Sequence, residues 1–251
     1  MLKPMKRGTM RNQLSEHISN AILHGDLKPG ERIIEIKLAR QLGVGQSTLR
    51  EALQELEHRG LITKYGNRGT FVTRISTKEV ECIYAVRLEL EPLAASLASQ
   101  RMTAQNYEEL ERHLDKMHKA QDRVDLTNMM TSDLAFHQAI WRFSDNIPLE
   151  RALNLVCASL FTFYLIRFSV NDFSNHARDF DQDFEEHREM LTALKKGGPD
   201  YVKMKFREIL DVFRVRHLDH VQEAQDKETS STATVSPTAS DSLVLNPYRN
   251  G

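Results

Sequence analysis

The sequence predicts a mainly α protein in two parts: an N-terminal winged helix-turn-helix over residues 8–75 and an all-α bundle over 77–226. Three observations carry this. Within the first 75 residues, three short helix-period segments broken by glycine precede a Gly-framed hairpin. From Thr77 to about Ala224 the period is helical almost throughout, with proline only at Pro92, Pro148 and Pro199. Charge divides at the same boundary. Residues 1–75 hold thirteen Lys and Arg against seven Asp and Glu, a net +6, and the remainder is −7 within a total of −1. A basic front on an acidic back suggests that the front meets a polyanion.

The N-terminal elements follow in order. Leu14, Ile18, Ala21 and Ile22 share one helical face that Gly25 ends, and Asp26-Leu27-Lys28-Pro29-Gly30 is a turn. A short helix with Ile34, Leu38, Ala39 and Leu42 on its apolar face is broken by Gly43-Val44-Gly45. The next helix opens at Ser47 or its neighbours, carries Leu49, Ala52, Leu53 and Leu56, and closes at Gly60. Two β-like runs, Leu61–Tyr65 and Thr70–Arg74, flank Gly66-Asn67-Arg68-Gly69. Arg74, Ile75 and Ser76 read as the linker to the second part.

Six helices are expected beyond it, near 77–99, 103–123, 126–144, 148–171, 178–196 and 200–225. Pro148 and Pro199 fall at first-turn positions, where the missing N–H costs nothing. Six helices over about 150 residues make a bundle. From Thr229 to Ser242, nine of fourteen residues are Ser or Thr, so residues 227–251 are expected to be a disordered tail.

At 251 residues, two modest domains fit better than one. No apolar run approaches the ~20 residues of a membrane span. Met1–Arg7 has no apolar core after its charges, so it does not read as a signal peptide. Cys82 and Cys157, both in apolar helical patterns, read as buried reduced thiols. Together these place the chain in the cytoplasm.

Helix, tight turn, helix and hairpin is the assembly order of a winged helix-turn-helix, whose second helix of the pair enters the major groove by its N-terminal end. That end supplies Gln46, Ser47, Thr48 and Arg50. Gln can bond adenine bidentately, Arg guanine, and Ser or Thr either base or phosphate. Arg68 at the wing tip suits a minor groove or a phosphate. Taken singly, each of these residues reads equally well as solvated surface; the ordered combination is what points to duplex DNA.

Lys28-Pro29-Gly30-Glu31-Arg32, Glu35, Leu38-Ala39, Leu42-Gly43-Val44, Leu49-Arg50-Glu51-Ala52-Leu53, Leu56-Glu57, Gly60-Leu61-Ile62 and Asn67-Arg68-Gly69-Thr70-Phe71-Val72 together resemble the GntR family of regulators. The resemblance covers about residues 8–75. It implies operator contacts at the residues matching Gly45, Gln46, Ser47, Thr48 and Arg50 and at the wing positions Tyr65, Gly66 and Asn67. The Ser-Arg pair usual after Gly-Val in that family is Gly45-Gln46 here. One arginine contact is therefore absent, which alters specificity by ~1–3 kcal/mol without abolishing binding.

The second part resembles the FadR-like branch with its C-terminal FCD domain. The resemblance rests on Arg87-Leu88-Glu89-Leu90-Glu91-Pro92-Leu93-Ala94-Ala95, Asp133-Leu134-Ala135-Phe136-His137-Gln138-Ala139-Ile140 and Glu186-His187-Arg188-Glu189-Met190-Leu191. It implies a six- or seven-helix bundle around a pocket for a small carboxylate or acyl effector, often with a divalent metal held by one Asp and three His. On the residues alone, Asp133 and His137 are four apart and stack on one helical face. With His187 they form an oxygen and nitrogen ligand set suited to Zn, Ni or Mn. A solvated Asp–His hydrogen bond is the plainer alternative. The third family histidine falls 22 residues beyond His187, at Ile209, which cannot ligate. His217 and His220 lie two and three turns further on. The site is thus either a three-ligand metal site or a metal-free pocket.

For the effector carboxylate, Arg87 and Arg167 are the candidate clamps. An i,i+4 ion pair with Glu91 is the alternative for Arg87. The aromatic residues around Arg167 (Phe161, Phe163, Tyr164 and Phe168) read as core or dimer interface before a cofactor box. Three functions remain open at this point. The first is a homodimeric regulator of a palindromic double-stranded operator controlled by a small organic acid; the second is an effector-independent dimeric regulator. The third is a metal-dependent enzyme at Asp133, His137 and His187, which lacks a general-base motif, a phosphate loop and a nucleophile elbow.

Overall fold

The computed structural model describes residues 8–23, 25–170 and 177–233. α1 (Gly8–Leu23), α2 (Glu35–Leu42) and α3 (Gln46–His58) form the three-helix part of the N-terminal domain. They bury Leu14, Ile18, Ile22, Ala39, Leu49, Ala52, Leu53 and Leu56 in one core. The tight turn between α2 and α3 depends on Gly43. Its φ of 65° lets the backbone N–H cap the Ala39 and Arg40 carbonyls, a left-handed stop that a β-carbon would strain. Gly45 then precedes the first turn of α3, so Gln46 is the first helical residue.

The wing is a hairpin of β2 (Ile62–Tyr65) and β3 (Gly69–Val72) joined by a 3-10 turn, Gly66–Arg68. Ile62 faces Val72 and Tyr65 faces Gly69 in antiparallel register. The sequence expectation lacks β1 (Arg32–Ile33), which pairs antiparallel with the other edge of β3, giving the order β1-β3-β2. Two residues are too few for a period-2 pattern to show. Their pairing also corrects Ile34, expected on the buried face of α2: it lies outside the helix in extended conformation, 54% exposed, and Ile33 is the buried residue.

α4 (Thr77–Ser99), α5 (Ala104–Asp122), α6 (Leu126–Phe143), α7 (Ile147–Val170), α8 (Ala177–Lys196) and α9 (Pro199–Ala233) build the bundle. Capping boxes open α4, with Ser76 and Glu79, and α5, with Thr103 and Asn106. Pro92 sits inside α4, where it cannot donate to the Leu88 carbonyl. Arg207 of α9 donates to that carbonyl at 3.1 Å and so satisfies it. Val80, Tyr84, Phe136, Phe206 and Phe213 are among the residues packed in the bundle core.

Three further expectations are corrected. Ile75, read as linker, is buried in the bundle core. Cys82 is exposed, and only Cys157 is buried. α9 remains helical to Ala233, where the expected tail has already begun; residues 234–251 lie outside the described ones.

Candidate functional site

Three ligand atoms converge between α6 and α8. His187 Nε2 lies 3.1 Å from Asp133 Oδ1 and 3.2 Å from His137 Nε2, and His137 Nε2 lies 3.5 Å from Asp133 Oδ1. The other ring nitrogens are committed. His187 Nδ1 donates to the Asp183 carbonyl at 2.6 Å, an oxygen that can only accept, and His137 Nδ1 lies 3.1 Å from Glu91 Oε2. The Asp183 carbonyl fixes a proton on His187 Nδ1, and the two Nε2 atoms and Asp133 Oδ1 face one another. These three atoms are close enough together to hold one metal ion between them.

Burial opposes charge on His187, yet Asp133 outweighs it and raises the imidazole pKa. Burial likewise raises Asp133, but His187 brings it below the ordinary carboxylate value. The spacing suits a metal: a tetrahedral ion with bonds of ~2.0–2.1 Å sets its ligand atoms about 3.3 Å apart. The outer partners, Glu91 on His137 and the Asp183 carbonyl on His187, are those that orient ligating histidines.

This triangle adjoins a cavity lined by Arg87, Asp133, Phe161, Tyr164, Asp183 and His217, with Met130, Leu160 and His220 completing the wall. It spans ≈ 360 Å³ including the part open to solvent, yet the space clear of side chains holds little more than one water. An organic effector must therefore move wall residues to enter.

Arg87 is 1% exposed and does not present a vacant fork. Its Nε donates to Glu91 and its Nη1 to the Tyr84 hydroxyl at 2.9 Å, so the i,i+4 ion pair is the arrangement found. Burial would raise Glu91, but Arg87 and then His137 hold it at about 2. Because Tyr84 accepts from Arg87, its own proton goes to His217 Nδ1, 2.6 Å away. Burial, reinforced by Arg87, keeps His217 neutral, so its Nε2–H is a donor on a ring that lines the cavity. The Arg167 side chain lies outside the described residues.

Ile209 is buried in the bundle core, and the α9 residue set against the two histidines is Phe213, with ring centroids 5.3 Å from His187 and 6.4 Å from His137. The helix pair is offset from the sequence count: Arg216 reaches Asp183 and Glu186, and His220 reaches Asp179 at 3.0 Å. Sequence spacing could not supply that register. Among the described residues, the group able to hold a metal is Asp133, His137 and His187. Sequence reasoning missed Tyr84 and Phe213, and it saw Glu91 only as a partner for Arg87. Its second partner, His137, is visible only when α4 packs against α6.

At the other end of the molecule, Gly45, Gln46, Ser47 and Arg50 are exposed at the start of α3 and Thr48 is half-buried. Arg50 is steered by Glu35, whose Oε2 accepts its Nε at 3.0 Å while Oε1 accepts from Thr70 of the wing at 3.3 Å. Gly66, Asn67 and Arg68 are exposed at the wing tip, and Tyr65 is half-buried with its ring edge-on to Phe71.

Two family models match: the gntR family of bacterial regulatory proteins over residues 10–72, and the FCD domain over 82–212. The HTH-type transcriptional regulator YdhC of Bacillus subtilis (strain 168) is 31% identical over 214 residues, covering 84% of this chain and 92% of that one. A probable D-xylose utilization operon transcriptional repressor of Paenarthrobacter nicotinovorans is 28% identical over 202 residues, covering 79% and 84%. The solved structure of McbR/YncC from E. coli has a TM-score of 0.62 at 23% identity, covering 86% of this chain and 99% of that one, and is similar in fold. No helix among the described residues is long and apolar enough to cross a membrane. These are families of transcription regulators and not of enzymes, and the chain belongs to the gntR family of bacterial regulatory proteins as a DNA-binding regulator with an FCD domain.

Proposed function

We propose that the chain is a cytoplasmic, homodimeric regulator whose operator affinity is set by a small organic acid bound beside a divalent metal in the bundle. The observation that carries this is the meeting of Asp133 Oδ1, His137 Nε2 and His187 Nε2 at 3.1–3.5 Å on the edge of a cavity. Those three residues would hold Zn, Ni or Mn, and the ion would supply a Lewis-acid position for a carboxylate oxygen. Arg87, neutralised by Glu91, shapes the wall, and His217 offers it a donor. Gly45, Gln46, Ser47, Thr48 and Arg50, with Tyr65, Gly66, Asn67 and Arg68 of the wing, form the reading surface for double-stranded DNA. The relative from Paenarthrobacter is a probable repressor, and repression is the sign we assign here.

The test is metal titration of the purified chain followed by a thermal-shift series of organic acids. We expect wild type to bind about one metal ion and to gain stability from an acid only when loaded. His187→Ala should lose at least the ~10–100-fold in metal affinity typical of disturbing an outer-shell partner, and with it the response to acid. Stabilisation by acids that ignores metal and survives His187→Ala would overturn the metal-anchored reading. The effector-independent alternative is favoured by the water-sized cavity, and a null response to every acid would support it.

A palindromic operator requires two copies related by a two-fold axis. α4 carries an apolar stripe at Val86, Leu90, Leu93 and Leu97, spaced i, i+4, i+7 and i+11, with Val86 38% and Leu93 37% exposed. We assign the dimer contact to this stripe. Sedimentation of Leu93→Glu is expected to shift toward monomer with the helical content unchanged; a dimer of wild-type strength would remove the assignment.

A further inference from the structure

α7 runs from the cavity wall to the end of the reading helix, where one of its side chains makes a hydrogen bond. Thr162, 6% exposed in the middle of α7, donates its hydroxyl to the Arg59 carbonyl at 2.7 Å. Arg59 is the residue at which α3 ends, and its carbonyl is one of those a helix C-terminus leaves without an internal partner. The same residue reaches back to α1, its guanidinium donating to Ser19 Oγ at 3.3 Å, and α1 also packs against α7. The Arg59, Gly60 and Leu61 amides close this end of α3 by bonding the Glu55, Glu57 and Leu56 carbonyls, and Leu61 leads into the wing. On the other side of α7, Phe161 and Tyr164 stand in the cavity wall. The Arg87 guanidinium lies over the Phe161 ring at 5.8 Å, and the Tyr164 ring lies 4.1 Å from that of His217.

We infer that Thr162 is the positioning residue through which occupancy of the bundle cavity reaches the DNA-reading helix. The inference rests on the ligand-controlled reading above and names its route. With room for little more than a water, the cavity admits an organic group only if wall residues yield, and Phe161 and Tyr164 of α7 are among them. Close-packed side chains transmit such a displacement to their own helix rather than absorbing it. Thr162 lies between those two positions in sequence and faces away from the cavity. Movement of α7 therefore pulls or releases the C-terminal end of α3, and with it the angle at which Gln46 to Arg50 meet the groove.

The experiment uses the full chain as wild type, Thr162→Val, which keeps shape and removes the donor, and Thr162→Ser, which restores it. Amide hydrogen exchange is followed at Arg59, Gly60 and Leu61 under two perturbations: addition of Ni²⁺ alone, and the substitution Met130→Phe, which fills the cavity from α6 without any ligand. Metal uptake is measured in parallel by calorimetry. In wild type and Thr162→Ser, both perturbations should change exchange at the three amides by roughly two- to tenfold, the scale of one hydrogen bond. In Thr162→Val neither should, while metal uptake stays equal in all three. An undiminished response in Thr162→Val would overturn the inference, as would three silent amides in wild type once Met130→Phe has folded. Failure of Ni²⁺ to bind would instead count against the metal reading, and the Met130→Phe arm would still decide the role of Thr162.

Discussion

Glu91→Ala is expected to destabilise the folded chain by about 3–5 kcal/mol, because it leaves the sealed Arg87 guanidinium without its counter-charge. Both partners are 1% exposed, so water cannot take over the role of the carboxylate. The melting temperature should fall by roughly 10 °C in a chain of this size. The compensating double variant Arg87→Met, Glu91→Leu should recover part of the loss, since a buried pair replaced as a unit costs far less than a pair broken. Acid makes an independent check. Glu91 has a folded pKa of about 2 against an ordinary 4.5, so its contribution is complete above pH 4.5 and disappears as pH falls from there toward 2. By linkage that contribution is about 3 kcal/mol. Urea titrations of wild type at pH 7 and pH 3 should show the difference, and the same pair of titrations on Glu91→Ala should show less of it. Equal stability of Glu91→Ala and wild type at pH 7 would mean that the pair does not hold α4 in place.

Affinity for duplex DNA is expected to collapse with salt, by ~10³–10⁵ between 50 and 200 mM if the dimer neutralises six to ten phosphates. The basis is a net +6 on residues 1–75, present twice in a dimer, beside a bundle and tail of net −7 that add nothing favourable. Within that total the two kinds of contact separate. Arg68→Ala should weaken all sequences alike and lower the salt slope by about one, the signature of a lost phosphate contact. Gln46→Ala should leave the slope unchanged and cost ~1–3 kcal/mol on the operator alone, as a base contact does. Arg50 is held by Glu35, so Glu35→Ala should loosen the arginine and reduce discrimination before it reduces affinity. Fluorescence anisotropy across a salt series reads all of these, and binding indifferent to salt would remove the reading surface as drawn.

The helices of the bundle were readable to within a few residues, except that α9 runs on to Ala233 where the sequence ended it near 225. Their signals are local: apolar period, and Pro148 and Pro199 at first turns. Pro92 stands inside α4, and the Leu88 carbonyl it leaves unbonded accepts from a guanidinium 115 residues later in the sequence, that of Arg207. β1 escaped because two residues carry no pattern until β3 pairs with them. Cys82 lies in an apolar stretch, yet its side chain falls on the outer face of α4.

What the sequence determined by itself is everything that depends on neighbours along the chain: two domains, the glycine stops that angle α2 against α3, the exposed polar start of the reading helix, and a stacked Asp133 and His137. Packing alone decided the rest, because contact between helices depends on their relative register, which no spacing within one helix contains. That register puts Phe213 and not Ile209 over the histidines, brings His137 to Glu91, and sets Thr162 against the last carbonyl of α3.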